Sequence, residues 1–262
     1  MPESEKPAPI PSATILIVRD TPAGMEVFMV KRHHQIDFVA GALVFPGGKA
    51  AKGDYDAGLS AFARGTDGWS ADRRALAAAA IREAFEESGI LFAREAASRD
   101  LISADRLATL EHYRQPLEKG EVGLIDMLRA EKLVLACDAL VHFAHWITPA
   151  HMPKRFDTHF FIAAVPPGHC GHHDGRESVG SLWISPTVAV TDRKKWNVIF
   201  PTKLNLMKLA KSASVAEAIE AARANPPLTV EPWIEKRPDG DYLMIRGDAG
   251  YAQTSALLRD AL

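Results

Sequence analysis

Three carboxylates crowd the segment REAFEESGI, Arg82 to Ile90. The run from Ala75 to Ala93 is rich in Ala, Leu, Glu and Arg and lacks Pro, which predicts a helix. At about 100° per residue, with Glu83 at zero, Glu86 falls near −60° and Glu87 near +40°, so the acids share one face. Ile81, Phe85, Ser88 and Phe92 fall between roughly 140° and 200°, opposite the acids, and can pack on a core. Gly89 stands where a helix often tightens or ends. Like charges at i,i+3 and i,i+4 repel by about 0.2–0.5 kcal/mol each. Hard divalent cations, Mg²⁺ or Mn²⁺, relieve that repulsion and suit oxygen ligands. A solvated acidic face is the plain alternative for any such helix.

The elements that must hold this helix can be read on either side of it. Met1 to Pro11, with four prolines, reads as a disordered tail over residues 1–11. Ala13 to Asp20 and Met25 to Arg32 flank the turn residues of TPAG and predict a hairpin. A short strand, Ala42 to Phe45, stops at Pro46, Gly47 and Gly48, and two glycines after a strand let backbone approach a ligand or metal closely. Residues 55–71 read as an irregular surface excursion. Ser103 to Arg114 and Gly120 to Lys132 predict helices within a further insertion, about 99–135. Leu140 to Pro149, Lys154 to Pro167 and Ser181 to Ile184 are strand-like. A short helix near Ser185-Pro186 is followed by two more, Phe200 to Lys211 and Ser214 to Ala224. A last hairpin turns at Asp239-Gly240. With no repeat and no long linker, residues 12–262 read as one elaborated α/β domain.

Composition narrows the partners. With 31 Lys+Arg against 33 Asp+Glu among 262 residues, nothing global invites nucleic acid or an anionic membrane. No apolar run approaches the ~20 residues that span a bilayer. The two cysteines, Cys137 and Cys170, form no CxxC pair, and the N-terminus lacks the apolar core of a signal peptide, so a reducing cytoplasm is the expected address. A homo-oligomer is left open.

Joined, the glycines and the acidic helix match a known pattern, and the sequence resembles the Nudix hydrolases. Gly48 aligns with the opening Gly of their box, and Arg82, Glu83, Glu86, Glu87, Gly89 and Ile90 keep the spacing of its helical half. Asp54 stands at the first acidic position, Ala84 replaces a bulkier apolar residue, and 27 residues separate Asp54 from Arg82. The phrases VFMVKR…FVAGALVFPGG, IREAFEESGILFAR, HWITP…KRFDTHFFIA and LWISP are similar to the coenzyme A diphosphatase branch, which also carries an insertion in the box and an Asp at that position. The resemblance implies a Nudix fold, an α/β/α sandwich around a mixed β-sheet with helical insertions. It also implies divalent metal on Glu83, Glu86 and Glu87, with the Gly47 carbonyl as an extra ligand. Arg82, grouped with Glu86 and Glu87 as the catalytic set, would orient a box carboxylate, and Asp54 would support the loop.

The chemistry this implies follows from charge. A pyrophosphate repels hydroxide, so hydrolysis needs cations to neutralise its oxygens and a carboxylate to take a proton. Glu86 or Glu87 is the first choice for that base and Glu177 the second. Arg32 and Arg155 could hold substrate phosphates or serve as structural ion pairs, and Gly48 could pass close to the substrate. Trp146, Phe156, Phe160, Phe161 and Trp183 read first as core, though one could stack on adenine. The loop His169 to Asp174 superficially suggests a transition-metal site but reads as surface. The expected reaction is metal-dependent hydrolysis of a nucleoside diphosphate linked to another group, coenzyme A or acyl-CoA first. An NADH or ADP-ribose diphosphatase is the enzyme alternative, and a non-catalytic nucleotide-binding regulatory module the alternative of another class.

Overall fold

A computed structural model of the protein describes residues 7–32, 41–173, 175, 178–192 and 194–261. β1 (Ile10–Thr21) and β2 (Gly24–Arg32) form the expected hairpin, in register from Val18↔Val27 to Thr21↔Gly24. β1 starts inside the expected tail. Ile10 and Pro11 pair with Phe156 and Asp157, and although Pro11 lacks a donor its carbonyl accepts from the Ala50 N–H at 2.9 Å. β3 (Leu43–Val44) pairs with β2. β4 (Gly47–Lys49) then pairs antiparallel with β1, so the two glycines lie within a strand and not in a turn.

Two 3₁₀ turns, Lys52–Tyr55 and Ala57–Phe62, lead to β5 (Ala63–Arg64) and then to α1 (Ala71–Ser88). Ser70 caps α1 by accepting the Arg73 N–H at 3.2 Å, and Gly89, left-handed at φ 69°, ends it. Ile90 to Ala93, expected in the helix, are therefore extended and buried and lead into β6 (Ala93–Glu95). α2 (Ala104–Leu110), α3 (Arg114–Glu118) and α4 (Leu124–Glu131) fill the helical insertion, and β7 (Leu133–Ala136) closes it. β5, β7 and β6 make a separate three-stranded sheet.

The main sheet is completed by β8 (Val141–Ile147), β9 (Phe156–Ala164) and β10 (Ser178–Ile184). α5 (Pro186–Thr191), α6 (Phe200–Leu209) and α7 (Val215–Ala224) follow, then β11 (Thr229–Val230) at the sheet's edge. Its order is β10-β2-β1-β9-β8-β11, with β1–β9 and β8–β11 parallel and the remaining pairs antiparallel. β12 (Trp233–Arg237) and β13 (Gly240–Met244) form the last hairpin, joined by β14 (Ser255–Leu257) and the short α8 (Leu258–Ala261).

Alternation on β1 divides the core into two layers. Ala13, Ile15 and Ile17 pack on the side of α1, whose alanines 77 to 80 are fully buried, while Leu16 and Val18 pack on the side of α6 and α7. Helices on both faces of a mixed sheet make the α/β/α sandwich. On the second side Trp146 Nε1–H donates to Tyr251 at 2.8 Å and Tyr251 O–H to Asn205 at 2.7 Å, tying the C-terminal segment to α6 and β8.

The box insertion is a correction to expectation. Leu59 is 1% exposed and joins the core cluster of Leu128 and Leu135, and Ala63 and Arg64 pair with β7. A two-residue strand carries no alternation to read, and its partner lies some seventy residues away in the sequence. Leu59→Ala should lower the unfolding free energy by about 2–5 kcal/mol in chemical denaturation, the range for emptying a buried leucine site. A loss near zero would return residues 55–71 to the surface.

Candidate active site

α1 places Glu83, Glu86 and Glu87 beside β4, as the helical arithmetic predicts, with Ile81, Phe85 and Ser88 buried on the opposite face. This end of the helix is an unfavourable place for acids. The macrodipole is negative there and the last carbonyls lack partners. Three features offset the charge. Gly47 N–H donates to Glu87 Oε2 at 3.0 Å. Arg82 Nη1 donates to Glu83 Oε1 and Glu86 Oε2, each at 2.9 Å. Arg114, a buried residue at the start of α3, donates to the Glu86 carbonyl through Nε at 3.3 Å and Nη2 at 3.1 Å.

Arg82 also reaches across the 27-residue gap. Its Nε and Nη2 form a fork on Asp54 at 3.1 and 3.0 Å, and Nη2 bonds the Lys49 carbonyl at 3.0 Å. Asp54, 1% exposed, turns its Oδ2 to the Ala51 N–H at 2.7 Å and is held from both sides. Burial works against the Arg82 charge, but Glu83 and the Asp54 bond overcome it, so its pKa rises. Arg82 thus holds Glu83 and Glu86, and Asp54 holds Arg82.

Glu86 carries the clearest sign that the site suits a cation. Burial pushes its pKa up to about 8; Arg82 pulls the other way, and Glu83 and Asp54 add to the rise. Its Oε1 is buried and has no hydrogen-bond partner. An acid left short of one partner beside a second carboxylate is the donor set that a hard divalent ion completes. Gly48 leaves the room: a Cβ there would stand 2.5 Å from Glu83 Oε1. Glu83, Glu86 and Glu87 are thus the residues able to hold Mg²⁺ or Mn²⁺, while the structure brings Gly47 to them through its N–H.

The glutamates open into a cavity of about 700 Å³, whose walls include Lys49, Glu118, Lys154 and Phe156. Lys49 and Lys154 can meet phosphate, and the half-buried Phe156 can meet a base. Trp146 and Phe161 are buried core instead. Glu118 and Arg114 come from the helical insertion, where no sequence pattern marks them; only the packing of α3 on α1 reveals them.

Other expected residues fall elsewhere. Arg155 is buried and structural: it bonds Glu231 at 2.6 Å, the Thr148 carbonyl at 3.1 Å and the Pro7 carbonyl at 3.2 Å, which removes it from substrate binding. The Arg32 side chain and Glu177 lie outside the described residues, as does Asp174. In the histidine-rich loop His169 is buried against the Ile102 carbonyl at 3.1 Å, so the loop is not wholly surface. His172 instead faces Arg114, and His173 faces Ser181. Among the described residues these three histidines form no ligand group.

A family model, the NUDT19 Nudix domain, matches residues 64–206. The chain belongs to this Nudix family. Its domain is a Nudix hydrolase domain, and the box residues on α1 lie inside the match. The chain is 26% identical to the acyl-coenzyme A diphosphatase NUDT19 of Xenopus laevis over 67% of its own length and 57% of that protein's. It is 24% identical to the Gallus gallus protein of the same name over 88% of this chain and 74% of that one. Among solved structures, a NUDIX hydrolase from Alicyclobacillus acidocaldarius superposes with a TM-score of 0.66 at 28% identity, covering 81% of this chain and 96% of that one. Among the described residues no helix is long and apolar enough to cross a membrane.

Removing one member of a buried ion pair strands the other, at about 3–5 kcal/mol. Arg82→Ala should therefore destabilise the protein by that amount in urea unfolding, since it leaves the buried Asp54 carboxylate with the Ala51 N–H alone. A change under about 1 kcal/mol, the range of exposed pairs, would mean that Asp54 does not hold Arg82.

Proposed function

We propose that this protein hydrolyses the pyrophosphate bond of a nucleoside diphosphate linked to another group, with Mg²⁺ or Mn²⁺ on Glu83, Glu86 and Glu87. The observation that carries the reading is the partnerless, buried Glu86 Oε1 beside Glu83, at the mouth of a cavity that also presents Lys49 and Lys154. When bound, the ion would neutralise pyrophosphate oxygens and lower the pKa of a water.

The chain's own residues do the rest. Arg82 and the Gly47 N–H each hold one oxygen of a glutamate, so the remaining oxygens keep a fixed direction. Glu86 Oε1, with its raised proton affinity, takes either the ion or the proton of the attacking water; Glu87 is the base in the first case. Lys49 and Lys154 balance substrate charge beyond the box, and Phe156 offers a face to the base. A regulatory module without catalysis would have no use for three intact, organised glutamates.

Coenzyme A or an acyl-CoA is the leading substrate, cut into 3′,5′-ADP, or its equivalent, and 4′-phosphopantetheine or its acyl form. The names of the NUDT19 relatives support this choice. The two lysines support it too, because the 3′-phosphate of coenzyme A adds charge that NADH and ADP-ribose lack.

Glu86→Gln and Glu87→Gln should each lower kcat at saturating Mg²⁺ by about 10²–10⁴, the usual contribution of a positioned acid or base, with the melting temperature kept. Near wild-type rates in either variant would refute the site. Comparing kcat/KM for coenzyme A, dephospho-coenzyme A, NADH and ADP-ribose tests the substrate. Coenzyme A should lead; a tenfold preference for NADH or ADP-ribose, about 1.4 kcal/mol, would move the function to dinucleotides.

A further inference from the structure

β9 serves two cavities. Its alternation turns Thr158 and Phe160 toward the glutamates and Asp157 and His159 toward a second cavity of about 920 Å³, walled by the box insertion through Tyr55 and Trp69. His142 of β8 also lines this second space. His145, three positions further on, would lie on the opposite face of a regular strand. A bulge between His142 and Ala144 shifts the register, so that His142 pairs with Phe161 and His145 with His159, and both imidazoles share one face.

The hydrogen bonds around these rings can fix their tautomers. His145 Nδ1 lies 2.8 Å from Thr229 Oγ1, and His159 Nδ1 lies 3.1 Å from His142 Nε2. His145 Nε2–H donates to Asp157 Oδ1 at 2.5 Å, its Nδ1 accepting from the Thr229 hydroxyl, and His159 Nε2 lies 3.7 Å from the same oxygen. A cation that displaces this one proton meets three ligand atoms. Among the described residues this is the one group of three His, Cys, Asp or Glu side chains whose ligand atoms all lie within 4.8 Å of one another.

We infer that His145, His159 and Asp157 form a second cation site, separate from the glutamates, for a divalent first-row transition ion of the zinc class. Two imidazoles and one carboxylate favour such an ion over Mg²⁺. At metal–ligand lengths of about 2.0–2.2 Å, tetrahedral donors stand about 3.3–3.6 Å apart, so the His145–Asp157 gap opens on binding and the 3.7 Å gap tightens slightly. Thr229 and His142 orient the two ligating rings. Three protein ligands leave a coordination position free, and Asp157 and His159 border the cavity from which water or an anionic ligand can reach it.

The test uses the full chain, freed of metal with chelator and supplied with excess Mg²⁺ to occupy the glutamates. Co²⁺ is then titrated as the zinc probe, read by its visible d–d absorption, and Zn²⁺ is titrated in competition. A single equivalent should bind with an intense, low-symmetry spectrum, unchanged in Glu86→Gln and abolished in His159→Ala. Thr229→Val, which removes an exposed hydroxyl that touches no ion, should weaken binding by about 10–100-fold, the usual effect of an outer partner. Asp157→Asn provides a second ligand variant should His159→Ala fail to fold. No spectrum, or binding lost in Glu86→Gln and kept in Asp157→Asn and Thr229→Val, would overturn the inference and leave a plain His–Asp ion pair on the sheet.

Discussion

The structure depends on how four acids are kept together at the end of one helix. Glu83, Glu86, Glu87 and Asp54 lie around a single guanidinium, and all but Glu83 are buried. The helix dipole opposes them, and burial of three of the four raises the cost of their charge. Arg82 meets three of the four, the Gly47 N–H meets the last, and Arg114 closes a helix carbonyl. One cation cannot neutralise four carboxylates. The remaining charge makes a divalent ion the natural complement of the site, and it explains why β4 must carry glycines there: a side chain at Gly48 would occupy the place of the Glu83 carboxylate.

Asp54 and Arg82 also make the insertion part of the site. The chain between them builds a 3₁₀ turn that buries Leu59 and a strand that completes the small sheet of β5, β7 and β6, before returning at the Ser70 cap. Because both ends are fixed, on Asp54 and on α1, the insertion adds a wall without loosening the box. That wall encloses the second cavity, so an addition to the sequence of the box has its spatial consequence on the other face of β9.

Two arginines on one chain illustrate how burial sorts function. Arg82 and Arg155 both sit near strands that border the site, and both carry a carboxylate partner. Arg155 spends its remaining donors on the carbonyls of Thr148 and Pro7, bracing the start of β1 against the loop before β9. Lys154, its neighbour, points into the glutamate cavity. The two cations are neighbours in the bend before β9, yet one is spent on the fold and the other is left to the cavity.

The sequence by itself determined what is local and periodic. The acids' common face, the Gly89 stop, the β1–β2 hairpin and the helices of the C-terminal third follow from spacing and from capping or turn residues, which act within a few positions. It also carried the family pattern, because that pattern is a fixed spacing. Tertiary structure decided the rest. Whether Asp54 joins an arginine 28 positions on, whether Pro11 enters a strand, and whether residues 55–71 reach the core depend on partners distant in sequence. The histidines show this most clearly. His142, His145 and His159 lie in two unremarkable strand segments, and only a one-residue bulge, invisible to a period of two, brings them to one face of the sheet.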